Sequence, residues 1–440
     1  MDKTPQPRAI ALLPLVLFLL LFIGTGAFLT SQDVGMAFYQ LSAAVAVLPA
    51  IVFALAMGKE KLGKKISIFL TGVGDINIIT MCMIYLLAGG FAYVAKSIGG
   101  VEATVNLGLA FIPAQMVLPG LFIITAFVAT AMGTSMGTIA AIAPIAAGIA
   151  QQTDISSALL MGTIVGGAMF GDNLSMISDT TIAATKTQGC DMSDKFKMNV
   201  RIVLPAAVAV VLLLVFMGDI GTVTGSGEWQ FVKIIPYLVI LTLAVAGFNV
   251  FAVLATGIVL AGGIGMFILP EYSLLKFSQD IYAGFVGMNE IMILSMFVGG
   301  LGELIRYNGG LQWLLERISA LAHKVGGSNS RRSGEFSIAG LVSLADVCIA
   351  NNTVAIILTG RLAKEIAEDT GVDPRRSASL LDIFSCIVQG LIPYAAQVLL
   401  AGSIAKISPV AVAANNWYCI ILAAISCVAV LTGWPASRKK

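Results

Sequence analysis

Gly171-Asp172-Asn173-Leu174-Ser175-Met176-Ile177-Ser178-Asp179-Thr180-Thr181 is the densest polar stretch inside an apolar run of this chain. Its eleven residues hold two carboxylates, one amide and four hydroxyls, while the flanks on both sides are apolar. A charge at the centre of a bilayer costs about 2.5–3.5 kcal/mol on insertion scales, and unpaired backbone adds to that. Such a segment is tolerable at membrane depth only where it lines a wet cavity inside protein. A helix that breaks there frees carbonyl oxygens for a cation, and the two carboxylates supply charge. Oxygen ligands of this kind suit a hard ion such as Na⁺.

The surroundings place that stretch in a membrane. Of the 440 residues, 58% are hydrophobic and 11% charged, with a mean hydropathy of +0.93. A soluble domain carries roughly 25% charged residues. Ten apolar crossings are expected, near 9–29, 35–57, 66–90, 156–185, 197–217, 231–247, 250–269, 279–300, 377–400 and 411–432. Two further stretches, about 116–150 and 335–366, are interrupted by small polar residues and read as re-entrant hairpins. With the N-terminus inside, segments 1–8, 58–65, 186–201, 301–334, 361–376 and 436–440 face the cytoplasm and hold 22 of the 26 Lys and Arg. That bias is the positive-inside rule. Counting either hairpin as a full crossing destroys it.

The expected fold is therefore all-α and polytopic, with two inverted repeats of five transmembrane helices, 1–217 and 218–440. Each repeat reads three spans, an interfacial stretch (99–113 and 311–325), a hairpin, a broken span and a closing span. The sequence echo pairs Gly137-Thr138-Ile139-Ala140 with Asn352-Thr353-Val354-Ala355, and Gly171-Asp172-Asn173 with Gly390-Leu391-Ile392-Pro393. These separations, 34 and 38 residues, differ by about one turn, which the Asp373-Pro374-Arg375-Arg376 loop can absorb. Inverted repeats with discontinuous helices point to a secondary transporter.

Other ionisable groups inside spans are candidates for the transport path. Asp346 lies one turn before the second hairpin tip, where Asn351, Asn352 and Thr353 stand. Asp382, with Ser385 and Gln389 on the same helical face, points toward the second break. Asp75 and Asn77 fall near the middle of the third span, and Asn289 and Glu290 in the corresponding eighth; each pair is either a proton site or hydrogen-bond glue. The six cysteines form no CxxC and read as packing residues, and the lone His323 argues against a histidine metal site. Gly133-Thr134-Ser135-Met136-Gly137 fits a hydrolase GxSxG but has no strand before it and no histidine nearby. No phosphate-cradling glycine loop occurs, so energy comes from an ion gradient. An enzyme is not expected, nor a nucleic-acid partner, nor a cofactor beyond Na⁺ and H⁺ as coupling ions.

The 171–181 segment resembles the NhaC family of Na⁺/H⁺ antiporters, whose motif reads roughly GDKLSPLSDTT. The chain matches it at Gly171, Asp172, Leu174, Ser175, Ser178, Asp179, Thr180 and Thr181, and departs at Asn173, Met176 and Ile177. Gly133-Thr134-Ser135-Met136-Gly137-Thr138 is similar to the family's GTSWGT hairpin tip, and Leu381-Asp382 followed by Leu391-Ile392-Pro393-Tyr394 to its second broken span. The resemblance implies cation and proton binding by Asp172 and Asp179, aided by Asn173, Ser175, Ser178 and Thr180. It places Thr134, Ser135 and Thr138 at the first tip and implies a homodimer; a bacterial inner membrane is the expected location, with both termini cytoplasmic by the charge asymmetry above. One departure stands out. The antiporters carry an acidic second tip, whereas here it reads Ala350-Asn351-Asn352-Thr353. A Na⁺- or H⁺-coupled carrier of a small amino acid is thus the alternative to a Na⁺/H⁺ antiporter. An ion channel is more remote, because the polar residues gather at two breaks and do not line a continuous face.

Overall fold

The computed structural model describes residues 6–32, 34, 40–111, 113–217, 230–314, 316–317 and 331–435. Among these the chain is helical and contains no strand. The first half runs α1 (Ala9–Leu29), α2 (Ala43–Ala56), α3 (Leu62–Val73), α4 (Ile76–Ser97), α5 (Gly100–Phe111), α6 (Val117–Met132), α7 (Ser135–Gln152), α8 (Ser157–Leu174), α9 (Asp179–Gln188) and α10 (Met192–Met217). The second runs α11 (Phe231–Val245), α12 (Val250–Ile268), α13 (Leu274–Gly287), α14 (Asn289–Tyr307), α15 (Arg331–Ile349), α16 (Asn352–Thr370), α17 (Pro374–Leu391), α18 (Ala396–Ala405), α19 (Pro409–Ala414) and α20 (Trp417–Thr432). His323, Ser330, most of the 311–325 stretch and the C-terminal 436–440 lie outside the described residues.

Five runs are long and apolar enough to cross a membrane alone: Ala9–Leu29, Ile76–Ser97, Met192–Met217, Val250–Ile268 and Pro374–Ala405. The pair α13 and α14, bent by 41°, forms a sixth. The other four expected crossings rest on the broken pair α8–α9 and on the shorter apolar helices α2, α11 and α20. Large apolar side chains point outward along these helices, with Phe216 81% and Phe267 94% exposed. Water would not tolerate so broad an apolar surface, whereas lipid does. The chain is a polytopic helical membrane protein.

The third span departs from the sequence reading. Instead of one helix over 66–90, α3 stops at Val73 and α4 restarts at Ile76, with Asp75 capping α4 by accepting the Asn77 N–H at 2.9 Å. Asp and Asn are good caps for this reason, and Gly74 before them ends a helix readily. The α3–α4 run packs antiparallel on α13–α14. A Cβ at Gly72 would collide with the Gly299 backbone, and one at Gly89 with Gly284. Small residues bring the four helices backbone to backbone, as lipid-embedded helices require in the absence of a hydrophobic drive.

The two hairpins and two broken helices interlock. Hairpin α6–α7 turns at Gly133 (φ +68°), and hairpin α15–α16 turns at Ala350 (φ +54°). Helix α6 packs on α8, held close by Gly167 and Gly171, while α15 and α16 pack on α17. The partners then cross over: α7 packs on α18 and α16 on α9.

Helix boundaries recur at one constant offset along the chain. Thr134 and Asn351 cap α7 and α16, Ser156 and Asp373 precede α8 and α17, and Asp179 and Ala396 open α9 and α18, with the same spacing in each pair. At this offset Thr134 is matched with Asn351 and Asp172 with Gln389, whereas Gly137 and Asn352 of the sequence echo stand two residues short of it and Gly171 and Gly390 two residues beyond it.

Three cations counted as loop charges are buried. Lys65 donates to the Leu55 and Gly58 carbonyls at 2.9 and 3.2 Å, satisfying the open end of α2. Arg376 pairs with Glu335 at 2.8 Å, joining α17 to α15. Lys195 lies wholly inside the protein, as described below. The first two hold helix ends near the expected cytoplasmic face, so the charge asymmetry survives them; Lys195 does not belong to the tally.

Candidate functional site

The site forms where four helix ends meet. At the first break α8 stops at Leu174, and Ser178 caps α9 by accepting the Thr181 N–H at 3.3 Å. The Ser178 hydroxyl also donates to the Asp172 carbonyl at 3.1 Å, and the Thr181 hydroxyl to the Ser175 carbonyl at 2.7 Å. These bonds satisfy the carbonyls left open at the end of α8. The Asp172 side chain turns the other way. Its Oδ1 accepts the Ser135 backbone N–H at 3.1 Å, the first free donor of α7, and the residue is buried. A helix N-terminus favours the charged carboxylate there.

A cavity of about 80 Å³ opens in front of this contact. Its walls carry Thr134, Ser135, Asp172, Asp179 and Thr180 from the first half. Asn351, Asn352 and Thr353 from the second tip face them, with Asn77 of α4 and Gln397 of α18 closing the ring. The two tips and the first break thus meet in one place, as the sequence motifs suggest. Asn351 also has a structural task, since its Oδ1 caps α16 through the Val354 N–H at 3.0 Å.

Other candidates stand elsewhere. Ser175 and Ser178 sit behind the cavity and shape the break, and the Thr138 hydroxyl bonds the Thr134 carbonyl at 3.0 Å. Asp346 is fully buried one turn before the second tip, and no side chain pairs with its carboxyl oxygens. Asp75 lines a second cavity of about 370 Å³ between α3, α14 and α16, with Glu303, Arg306 and, at its inner end, Asn351. Asn289 and Glu290 are exposed at the start of α14, and Glu290 accepts the Ser42 hydroxyl at 2.6 Å. They do not reach the site.

Asp382 is placed differently from its expected role as a ligand at the second break. It faces α10, where Lys195 holds its Oδ2 at 2.8 Å and Asn199 donates to the same oxygen at 2.7 Å. Asn173 belongs to that network and not to the cavity wall: its Nδ2 donates to Asp382 and its Oδ1 accepts the Tyr418 hydroxyl at 2.9 Å.

The residue that reaches the second tip is Gln389. Its Nε2 donates to the Ala350 carbonyl at 3.2 Å and to Gln397 Oε1 at 2.8 Å, and Gln397 in turn donates to Ser135 Oγ at 3.1 Å. This amide chain ties the second break to the first tip. In the sequence Gln389 reads only as a neighbour on the Asp382 face. A register built on the caps would find it opposite Asp172. Among the described residues no group of three His, Cys, Asp or Glu side chains converges as a metal centre.

Residues 4–218 match the Na⁺/H⁺ antiporter family. The chain is 24% identical over 346 residues to the Na⁺/H⁺ antiporter NhaC of Bacillus subtilis, covering 72% of this chain and 75% of that one. It is 23% identical to the malate-2H⁺/Na⁺-lactate antiporter of the same organism, covering 76% and 77%. To the arginine/ornithine antiporter ArcD of Halobacterium salinarum it is 22% identical, covering 83% and 82%. With a match to the Na⁺/H⁺ antiporter family over residues 4–218, relatives along most of its length and a polar junction of broken helices in an apolar fold, the chain is similar to that family and is a membrane secondary antiporter, not an enzyme.

Proposed function

We propose that the chain exchanges Na⁺ for H⁺ at Asp172, with Asp179 as the second carboxylate of the same site. The observation that carries this reading is the Asp172 carboxylate, buried at the end of a broken helix, facing a cavity and held by the first N–H of α7. One carboxylate that accepts either a proton or a cation is enough to couple the two flows, because the ions cannot occupy it together. Thr134, Ser135 and Thr180 supply further oxygens, and Asn351, Asn352, Thr353 and Gln397 supply neutral ones. The cavity volume, about 80 Å³, fits an ion and a few waters; sites for small organic ligands run to about 300–1,000 Å³.

Two inverted repeats, 1–217 and 218–440, are part of this proposal. The constant offset between helix boundaries supports them, and so does a repeated hydrogen bond. Asn199 Nδ2 donates to the Asn173 carbonyl at 2.8 Å, and at the same offset Asn416 Nδ2 donates to the Gly390 carbonyl at 2.9 Å. In that frame the hairpins are re-entrant from opposite faces, with both termini cytoplasmic and the protein in the bacterial inner membrane. Cysteines placed at Ser330 and Ser437 should then react with an impermeant maleimide only after the cells are opened; labelling of intact cells overturns the orientation.

A second reading, exchange of an organic ion such as an amino acid, draws on the neighbouring cavity of about 370 Å³, which meets the ion site at Asn351. Proteoliposomes loaded with a pH-sensitive dye separate the two. Na⁺-driven proton movement that Asp172→Asn abolishes supports the first reading. Labelled arginine, ornithine or malate uptake without Na⁺-driven proton movement supports the second and removes the first.

A further inference from the structure

Between the two broken helices the Lys195 ammonium is enclosed by oxygen. An ammonium has three N–H donors. Here they meet Asp382 Oδ2 at 2.8 Å, the Asn173 carbonyl at 3.1 Å and Thr181 Oγ1 at 2.6 Å. The ligands are themselves held in place. Thr181 spends its hydroxyl proton on the Ser175 carbonyl and so offers Lys195 a lone pair. Asn199 donates both to the Asn173 carbonyl and to Asp382 Oδ2. Lysine and aspartate side chains are 1% and 0% exposed, and Asp382 Oδ1 has no hydrogen-bond partner.

The donor set is one carboxylate, one hydroxyl and one carbonyl from the C-terminal turn of a broken helix. Those are the oxygens that hold a hard monovalent cation where helices unwind in a membrane. Charge points the same way, since a single carboxylate is balanced by a single fixed positive charge. Nor does the repeated architecture demand the pair. At the offset that relates Thr134 to Asn351, Lys195 corresponds to Val412 and Asp382 to Val165, so the pair exists once and its counterpart is apolar.

We propose that Lys195 is a tethered counter-cation: its ammonium fills an oxygen cage that, once the lysine is removed, takes a free Na⁺. The native protein then has one cation cage closed permanently by its own side chain. Asp382 then takes no exchanging cation, which leaves Asp172 as the exchangeable site. That last step rests on the function proposed above; the cage itself does not.

The test is thermal unfolding of the purified full-length protein in lipid nanodiscs, in NaCl against choline chloride. Lys195→Ala should melt well below the native protein in choline and recover about half or more of the loss in NaCl. The double variant Lys195→Ala/Asp382→Asn should fold without Na⁺ and respond to Na⁺ no more than the native protein does. Asp172→Asn/Lys195→Ala should keep the added Na⁺ response of Lys195→Ala, because the cage does not involve Asp172. A Lys195→Ala protein with no Na⁺-specific recovery overturns the proposal. So does one that fails to fold in NaCl, alone or with Asp382→Asn, because the cage then needs the lysine itself and not a cation. Should Asp172→Asn alone retain the full native Na⁺ response, the Asp172 site is refuted, and the Na⁺ gain of Lys195→Ala over native protein still decides the cage.

Discussion

At the break between α8 and α9, Asp172 reaches the first hairpin tip; at the break between α17 and α18, Gln389 reaches the second. The two positions are equivalent in the register of the helix caps and make the same kind of contact, a side chain at the end of a broken helix bonded to the backbone of a tip. The contact reverses its polarity, however. Asp172 accepts a backbone N–H, whereas Gln389 donates to a backbone carbonyl. Around them the supporting bonds are shared, with Asn199 and Asn416 satisfying the open carbonyl one residue after each. The hydrogen bonds that support the two breaks are thus alike, whereas the side chain that reaches each tip differs. An amide holds the second tip but cannot titrate, so in the exchange proposed above the carboxylate that reaches a tip from a break belongs to the first half.

The largest effect should follow from making the halves alike by subtraction. Asp172→Asn leaves an amide at both breaks and should lower Na⁺-driven proton movement at least about 100-fold, a loss of roughly 3 kcal/mol. Everted membrane vesicles with a fluorescent ΔpH probe measure it. Gln389→Asn, which shortens a neutral side chain, should weaken the tip contact and slow exchange by about 10-fold at most. If the two losses were equal, the division between a titrating break and a supporting one would fail.

Making the halves alike by addition should have a smaller and different effect. Gln389→Glu puts a second carboxylate beside the amide chain that leads to Ser135 and Asp172. Two carboxylates near one cavity resist ionising together, so the apparent proton affinity of the pair rises. The acid limb of the exchange profile should move up by about one pH unit and become steeper. Exchange measured from pH 6 to pH 9 checks this; an unmoved limb means that Gln389 is electrostatically remote from Asp172.

Much of this is legible in the sequence. The 171–181 stretch, the interrupted hairpins and both broken spans can be read directly, because polar and small residues inside long apolar runs are costly in lipid unless a helix breaks or packs closely there. Burial is not legible. Lys195 stands two residues from Lys197, near Asp191 and Asp194, and reads as a loop cation; only the packing of α10 against α17 shows that it faces Asp382. Asp382 reads as a free carboxylate for the same reason. Asn289 and Glu290 read as candidates for the transport path because the flanking residues are apolar, yet they stand on the outside of the bundle at a bend of 41° and do not line the cavity that holds Asp172. Long-range partners decide these cases, and composition carries no information about them.

The shared scaffold makes its own prediction. Asn199→Ala and Asn416→Ala each leave a buried carbonyl at a break without its donor, which should cost about 1–2 kcal/mol of stability. Asn199 should sit at the upper end, because it also donates to Asp382, whereas Asn416 serves Gly390 and its own helix start. Unfolding in nanodiscs would register the order. An Asn416→Ala variant as stable as the native protein would mean that the second break is satisfied by other donors and that the common plan is looser than the distances imply.

The smallest expected effect tests the two tips. Gly133 and Ala350 hold the same left-handed turn, at φ +68° and +54°. The first position has to be glycine on two counts, since a Cβ there would also lie 2.6 Å from the Ile177 side chain. At the second, Ala350 carries its methyl into the left-handed region, at a cost of roughly 1–2 kcal/mol for an L-residue. Ala350→Gly removes that cost but gains freedom in the unfolded chain worth about 0.4–1 kcal/mol, so the net should be a stabilisation of about 0.5 kcal/mol. Exchange should be unchanged, because the Ala350 carbonyl still accepts Gln389. A small rise in melting temperature with native half-saturating Na⁺ supports the equivalence of the tips. A clear fall would mean that the methyl group, 6% exposed within the core, contributes more by packing than the turn loses by strain, and that the second tip is held by its side chains and not by its backbone.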